Sequence, residues 1–136
     1  MVKLLEQDIL TKEVLDWEGM HLFHFALSSC SQKTRIVLNL KNLDWNSHPV
    51  NLYTKEHFTP WYLGINPRGL VPTLIIDGSV HIESNDIIQL IDSKSSDNIL
   101  IPEGMKNKVA DLLNFEDDLH LDLRTITFRF TQNRGK

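Results

Sequence analysis

Ser28, Ser29 and Cys30 place two hydroxyl groups and a thiol at consecutive positions. They follow His21–Leu27, a short aromatic and aliphatic run that predicts a buried strand. Serine is a favoured N-cap, so a helix is expected to begin here. A helix N-terminus has unpaired N–H groups and partial positive charge, which favour an anion such as a thiolate. Ser28 is therefore interpreted either as a plain cap or as part of an anion site.

Cys30 is the only cysteine of the chain, so no internal disulfide can form and a reducing cytoplasm is the expected compartment. Its position near the helix start allows a reactive thiol that exchanges disulfides. The alternative is a small buried apolar residue without a chemical role. No Cys-x-x-Cys pair is present, which argues against a dithiol oxidoreductase.

Charged side chains near the C-terminal end suggest a metal site, but their spacing argues against one. They are Glu116, Asp117, Asp118, His120 and Asp122. Residues two apart, such as His120 and Asp122, do not share a helix face. We expect a solvated, charge-paired face and no metal.

Composition excludes several functions. The 136 residues are 41% hydrophobic and 24% charged, which suits one domain plus an additional segment. The net charge of -4 argues against nucleic acid as a partner. No apolar run approaches the roughly 20 residues of a membrane span. Met1–Trp17 has no apolar block next to a cleavage site, so no signal peptide is expected.

The remaining pattern predicts the elements that position these groups. Pro49 places the second strand at a sheet edge, and Asp77–Gly78 indicates a hairpin. The predicted elements are an amphipathic helix over Leu4–Trp17, a strand over His21–Leu27, a helix over Gln32–Asn42, strands at Trp45–Leu52, Leu70–Ile76 and Val80–Ile82, a helix capped by Ser84, and a last helix from Met105 whose apolar stripe runs from Val109 to Phe130. This order predicts an α/β fold with a thioredoxin-like mixed four-stranded sheet and flanking helices.

Four local strings in this order resemble the N-terminal domain of the glutathione transferases. They are Ser28–Arg35, Asn66–Leu74, Asp77–Gly78 and Glu83–Ile87. The Ser-Ser-Cys-Ser start is most similar to the zeta class, which includes maleylacetoacetate isomerase. The resemblance implies that Ser28 donates its hydroxyl to the thiolate of glutathione, the co-substrate. It also implies contacts from Ser29 and an assisting role for Cys30.

The same resemblance assigns residues of this chain to the other parts of glutathione, which is a tripeptide. Val71–Pro72 matches the family's cis-proline pair, whose backbone pairs with the cysteinyl residue. Glu83 and Ser84 would hold the ammonium and carboxylate of the γ-glutamyl group. The partners implied for the glycyl carboxylate are Arg68, Lys33 and His57. Leu70 stands where the family often has lysine or glutamine.

The implied organisation is an extension at 1–19, a glutathione-binding domain at 20–93, a linker at 94–104, and at 105–136 the first helix of a truncated helical domain. The expected partners are glutathione, a small electrophile and a second copy of the chain, with no nucleic acid and no membrane. Two alternatives stay open: a module that binds glutathione or a protein without turnover, and glutaredoxin-like thiol exchange through Cys30.

Overall fold

The computed structural model describes the backbone of residues 2–131 and the side chains of residues 2–126. Its strands are β1 (Met20–His24), β2 (Asn46–Pro49), β3 (Thr73–Ile76) and β4 (Ser79–His81). Its α-helices are α1 (Ser29–Leu40), α2 (Pro60–Leu63), α3 (Ser84–Ser93) and α4 (Lys106–Thr131). Met1 and residues 132–136, which fall within the predicted extension and last helix, lie outside the described residues.

The strands form one mixed sheet in the order β2-β1-β3-β4. β1 and β2 are parallel, with His21 opposite Asn46 and His24 opposite Pro49. β3 is antiparallel to both β1 and β4, and Asp77–Gly78 turns the chain between β3 and β4. The thioredoxin-like arrangement predicted from the sequence is confirmed. β2 lies at the predicted edge, where a proline that cannot donate to a neighbouring strand is tolerated.

Alternating side chains of the sheet enter two apolar cores, one on each face. The core beneath α1 and α3 consists of Leu22, Leu38, Leu74, Ile76, Ile87, Leu90 and Ile91. The core on the other face consists of Ile9, Val14, Phe23, Val50, Tyr62, Ile65, Ile75 and Val80. Each such fully buried side chain contributes about 1.5–3 kcal/mol through removal of apolar surface from water. Neighbouring residues of β1, Leu22 and Phe23, thus stabilise opposite faces.

The N-terminal extension is not the amphipathic helix predicted over Leu4–Trp17. Two short 3-10 turns replace it, at Glu6–Asp8 and Lys12–Asp16. Between them, the N–H groups of Leu10 and Thr11 donate to the Gly64 oxygen at 2.8 and 3.1 Å. These donors cannot also continue a helix. The prediction was wrong because tertiary hydrogen bonds override local helix propensity.

The extension packs against the sheet. Ile9 and Val14 are 1% and 0% exposed. Lys3 forms an antiparallel bridge with His81, so the chain enters as a short addition beside β4. These contacts make the extension part of the folded unit that carries the sheet.

Lys41 secures the chain that follows α3. Its side chain is 0% exposed, and Nζ lies 3.0 Å from a carboxylate oxygen of Asp92. The ammonium also donates to the carbonyl oxygens of Ser95, Asp97 and Asn98 at 2.8 to 3.1 Å. A buried charge is tolerated when it is both paired and hydrogen-bonded. The cluster therefore holds residues 95–98 at the end of α1.

The chain divides into two compact units, Met1–Ile99 and Leu100–Lys136. In the second unit, four members of the predicted apolar stripe are more than half exposed: Leu112, Leu119, Leu123 and Ile126. Phe130, the last member, lies outside the described side chains. Among residues 2–131, no helix combines the length and apolar character needed to cross a membrane.

Replacing Gly78 with alanine tests the docking of the extension on the β3–β4 turn. A Cβ at this position would lie 2.0 Å from the Leu15 oxygen, and φ is +75°. Gly78→Ala is expected to lower the free energy of unfolding by about 3 kcal/mol, from backbone strain and overpacking together. Urea unfolding followed by circular dichroism measures the loss.

Gly19→Ala is the matched control. Gly19 has φ +80°, but no atom lies within 4 Å of its added Cβ. Only the strain applies, so the expected loss is about 1 kcal/mol. Equal losses in the two variants would contradict the docked position of Leu15.

Candidate functional site

Strand register brings the three predicted contact zones to one end of the sheet. Phe23 pairs with Thr73 at the last position of the β1–β3 ladder. The chain that leaves β1 toward Ser28 therefore runs beside Val71–Pro72, which leads into β3. Because β4 is antiparallel to β3, the start of α3 at Glu83–Ser84 lies at the same end.

Ser28 is the N-cap of α1, as the sequence predicted. Its side-chain oxygen accepts a hydrogen bond from the Ser31 N–H at 3.2 Å. A hydroxyl has two lone pairs and one proton, so this cap leaves the O–H of Ser28 as a donor. Ser29 is exposed and Cys30 is half-buried in the first turn. All three side chains lie at the positive end of a 12-residue helix.

The Val71–Pro72 peptide bond is cis, as the resemblance implied. Buried polar groups hold the chain just before it. The Tyr62 hydroxyl donates to the Leu70 oxygen at 2.7 Å, and Asn66 Nδ2 donates to the same oxygen at 3.0 Å. Burial raises the pKa of Tyr62 well above its ordinary value, so the phenol stays a donor. In the sequence, Asn66 stood out only as the first residue of the Asn66–Leu74 string, and nothing there pointed to Tyr62.

The start of α3 differs from the prediction. Ser84 was expected to cap the helix, but it is the first helical residue, and Glu83 occupies the N-cap position with φ +70°. The Glu83 side chain makes no capping hydrogen bond because its carboxylate pairs with Arg68. A non-glycine residue in this region costs about 1–3 kcal/mol and is often found at functional sites.

The three basic side chains considered for a carboxylate have different surroundings. Arg68 pairs with Glu83, which places it beside the α3 start. Lys33 Nζ donates to the side-chain oxygen of Asn85 and so links α1 to α3. His57 Nδ1 is buried without a hydrogen-bond partner, and burial lowers the pKa of this imidazole, with a smaller effect from Lys55. His57 thus retains an unused polar atom.

Histidines on the first two strands form contacts that the sequence did not reveal. His21 Nε2 lies 2.9 Å from the Glu18 carbonyl oxygen, so it donates, and His21 Nδ1 accepts from His48 Nε2 at 2.9 Å. Burial, then the neighbouring His21, lowers the pKa of His48. Burial, then the Arg35 charge, lowers the pKa of His24.

Within the described residues, no group of three or more histidine, cysteine or acidic side chains could hold a metal ion.

The mixed sheet, the serine-capped α1 and the cis-proline loop define a thioredoxin-like domain. The family model for the glutathione S-transferase N-terminal domain matches residues 27–94, half of the 136-residue chain. The chain belongs to this family.

Individual relatives agree with the family match. Glutathione S-transferase 1 of Dianthus caryophyllus is 38% identical over 99 residues, which cover 73% of this chain and 43% of that protein. The maleylacetoacetate isomerase of Pseudomonas aeruginosa is 42% identical over 78 residues, 55% of this chain and 37% of that protein. A solved structure of maleyl pyruvate isomerase, a bacterial zeta-class glutathione transferase, superposes with a TM-score of 0.63 at 31% identity, over 68% of this chain and 44% of that one. The chain spans about two fifths of the length of these curated relatives.

Removing the Tyr62 hydroxyl tests its support of the cis-proline loop. Tyr62→Phe deletes the donor to the Leu70 oxygen, and we expect the free energy of unfolding to fall by about 1 kcal/mol. Tyr53→Phe is the matched control because Tyr53 is 75% exposed. Its expected change lies within about 0.5 kcal/mol. Urea unfolding compares the variants, and equal stability of Tyr62→Phe and the wild type would contradict the assigned hydrogen bond.

The free energy of unfolding is expected to decrease as the pH falls below about 6.5. The pKa values of His24, His48 and His81 are lowered from 6.5 in the folded chain. Below pH 6.5, the unfolded chain therefore binds more protons than the folded chain. The stability that is present above pH 6.5 is lost as the pH falls through the folded-state pKa values of these histidines. Urea midpoints across this range measure the slope. His81→Gln should flatten it, and an unchanged slope would refute the contribution of His81.

Proposed function

We propose that this chain binds glutathione and activates its thiol for attack on, or isomerisation of, a small electrophile. The observation that carries the proposal is the Ser28 hydroxyl, whose oxygen caps α1 while its proton stays available. A free thiol has a pKa of roughly 8.5, so at neutral pH it is mostly protonated. A hydroxyl donor and the helix N-terminus both favour the thiolate. The glutathione transferases and isomerases among the relatives support this choice.

The backbone at Val71 would hold the cysteinyl residue of glutathione. Val71 lies before Thr73, the first paired residue of β3, so its N–H and C=O lie outside the strand ladder. An extended peptide can pair with such groups as an added strand does. The cysteinyl sulfur would then be directed toward Ser28, because the chain from β1 to Ser28 leaves the sheet beside Val71–Pro72.

The two ends of glutathione match different surroundings. The γ-glutamyl carboxylate would take the position beside Ser84 that no capping side chain occupies, and Glu83 would hold the ammonium. Arg68 would orient Glu83 through their ion pair. The glycyl carboxylate would meet His57, whose side chain is half-buried.

The chemistry follows from the thiolate. In conjugation by addition, the thiol proton first passes to solvent. The thiolate sulfur then forms a C–S bond while the π bond of the electrophilic carbon breaks, and the resulting anion takes a proton from solvent. In isomerisation, the adduct rotates about the former double bond before it is protonated. The C–S bond then breaks, its electron pair returns to sulfur as the π bond re-forms, and the thiolate is regenerated. Ser28 acts identically in both reactions because it stabilises the anion.

The remaining expectations concern the whole protein. We propose a cytoplasmic homodimer, in which a reducing compartment keeps Cys30 as a thiol. The pocket for the electrophile would be built outside the glutathione contacts, all of which lie before Ser93. Thiol exchange through Cys30, or binding without turnover, are the outcomes that the following variants separate from the proposal.

Ser28→Ala is expected to raise the pKa of the bound glutathione thiol by about 1 to 2, because one hydrogen bond to an anion is lost. The ultraviolet absorbance of the thiolate, followed against pH with the full chain saturated by glutathione, measures this value. Ser28→Thr keeps a hydroxyl and should restore most of the effect.

Thr59→Ala controls for the loss of a helix cap. Thr59 caps α2 by accepting from the Tyr62 N–H, so its removal costs about 1 kcal/mol of stability without affecting the thiol. Cys30→Ala controls for the thiol-exchange alternative. If Cys30→Ala abolishes the reaction of glutathione with an electrophile while Ser28→Ala has no effect on it, the serine mechanism is wrong. Failure of the wild type to bind glutathione would reject the proposed function itself.

A further inference from the structure

His24, the last residue of β1, links three elements beneath the turn that leads to Ser28. Its side chain is 9% exposed. The Nε2 atom lies 2.7 Å from the Ser47 hydroxyl of β2, and Nδ1 lies 3.1 Å from a guanidinium nitrogen of Arg35 on α1. Both ring nitrogens of His24 thus have a hydrogen-bond partner.

These contacts determine the protonation state that fits. A guanidinium has only donors, so His24 Nδ1 must accept from Arg35. Nε2 therefore carries the proton and donates to Ser47. A second proton on Nδ1 would place a donor and a positive charge against the Arg35 cation at 3.1 Å. The hydrogen bond between Arg35 and His24 exists only while the imidazole is neutral.

The same guanidinium holds the turn that precedes α1. Arg35 donates to the carbonyl oxygen of Phe25 at 3.3 Å and to that of Ala26 at 3.2 Å. The Phe25 oxygen also accepts from the Ser28 N–H at 3.1 Å. Arg35 therefore contacts an acceptor that also contacts Ser28.

We propose that His24 is a positioning residue for Ser28: its neutral imidazole holds Arg35 on the two carbonyl oxygens of the turn, and protonation of His24 releases them. The effect on glutathione rests on the proposed function, whereas the release of the turn does not. The charged or titratable groups facing His24 are Arg35 from α1 and His48 from β2. Both are basic, so each disfavours the protonated ring.

Nuclear magnetic resonance of the full chain, without glutathione, tests the structural step. We expect the backbone amide shifts of Ala26 and Ser28 to titrate together with the His24 ring. His24→Asn keeps an acceptor near the position of Nδ1 but does not titrate, so these amide shifts should become independent of pH. His81→Gln removes a different buried histidine and should leave their titration unchanged. Amide shifts of Ala26 and Ser28 that do not change when His24 is protonated would overturn the proposal.

The thiolate absorbance of saturating bound glutathione tests the functional step. In the wild type, two protonations act together at acidic pH: that of the thiolate and that of His24. The thiolate fraction should therefore fall by up to about a hundredfold per pH unit, whereas a single protonation gives about tenfold. His24→Asn should return the slope to about tenfold per pH unit. His24→Leu, which removes the acceptor, should lower the thiolate fraction near neutral pH, where the wild-type imidazole is neutral and holds Arg35. Thermal unfolding of each variant identifies any simple loss of fold.

The two proposals fail differently. If the wild type forms no thiolate at any pH, the glutathione function is rejected, and the amide titration still decides the role of His24. If thiolate forms and His24→Asn matches the wild-type slope, the positioning role is rejected while the function stands.

Discussion

The antiparallel pairing of β1 with β3 is the constraint on which the candidate site depends. Leu22 and Leu74 face each other in this ladder, and both are 0% exposed. A slip of one residue would turn every side chain of one strand to the opposite face, so Leu22 and Phe23 would each enter the core that is packed around the other. The apolar cores thereby lock the register. Ser28 and Pro72 lie just beyond the paired residues, so the same apolar contacts hold them together.

The second support of the site runs through the N-terminal extension, which lies outside the matched residues 27–94. α2 has only four residues and cannot be stable alone. Thr11 donates its hydroxyl to the Trp61 oxygen at 2.6 Å, and the Trp61 indole donates to Glu13 at 2.6 Å. The next residue, Tyr62, reaches the Leu70 oxygen before the cis-proline bond. Contacts of the extension therefore reach, through α2, the loop that holds the cis-proline bond.

The sequence predicted those features that depend on local chemistry. Short apolar runs and the Asp77–Gly78 turn predicted the sheet, and the preference of serine for helix starts predicted the cap at Ser28. The extension was mispredicted because its hydrogen bonds go to Gly64, a residue distant in sequence. The contact between His24 and Arg35 was missed for a similar reason. Periodicity indicates which face a residue occupies, but not which polar groups meet across two elements.

The ion pairs of this chain differ in strength according to their position. Lys41 and Asp92 are buried at 0% and 8% exposure, so separating them would leave an uncompensated charge, at a cost of about 3–5 kcal/mol. Arg68 and Glu83 are 52% and 44% exposed, and such surface pairs contribute about 0–1 kcal/mol. Under the proposed function, a ligand ammonium would share the Glu83 carboxylate at little cost, because an easily opened pair leaves binding energy for the ligand. Strong pairing thus holds the scaffold, whereas the weak pair lies at the start of α3, where the proposal needs an exchange of partners.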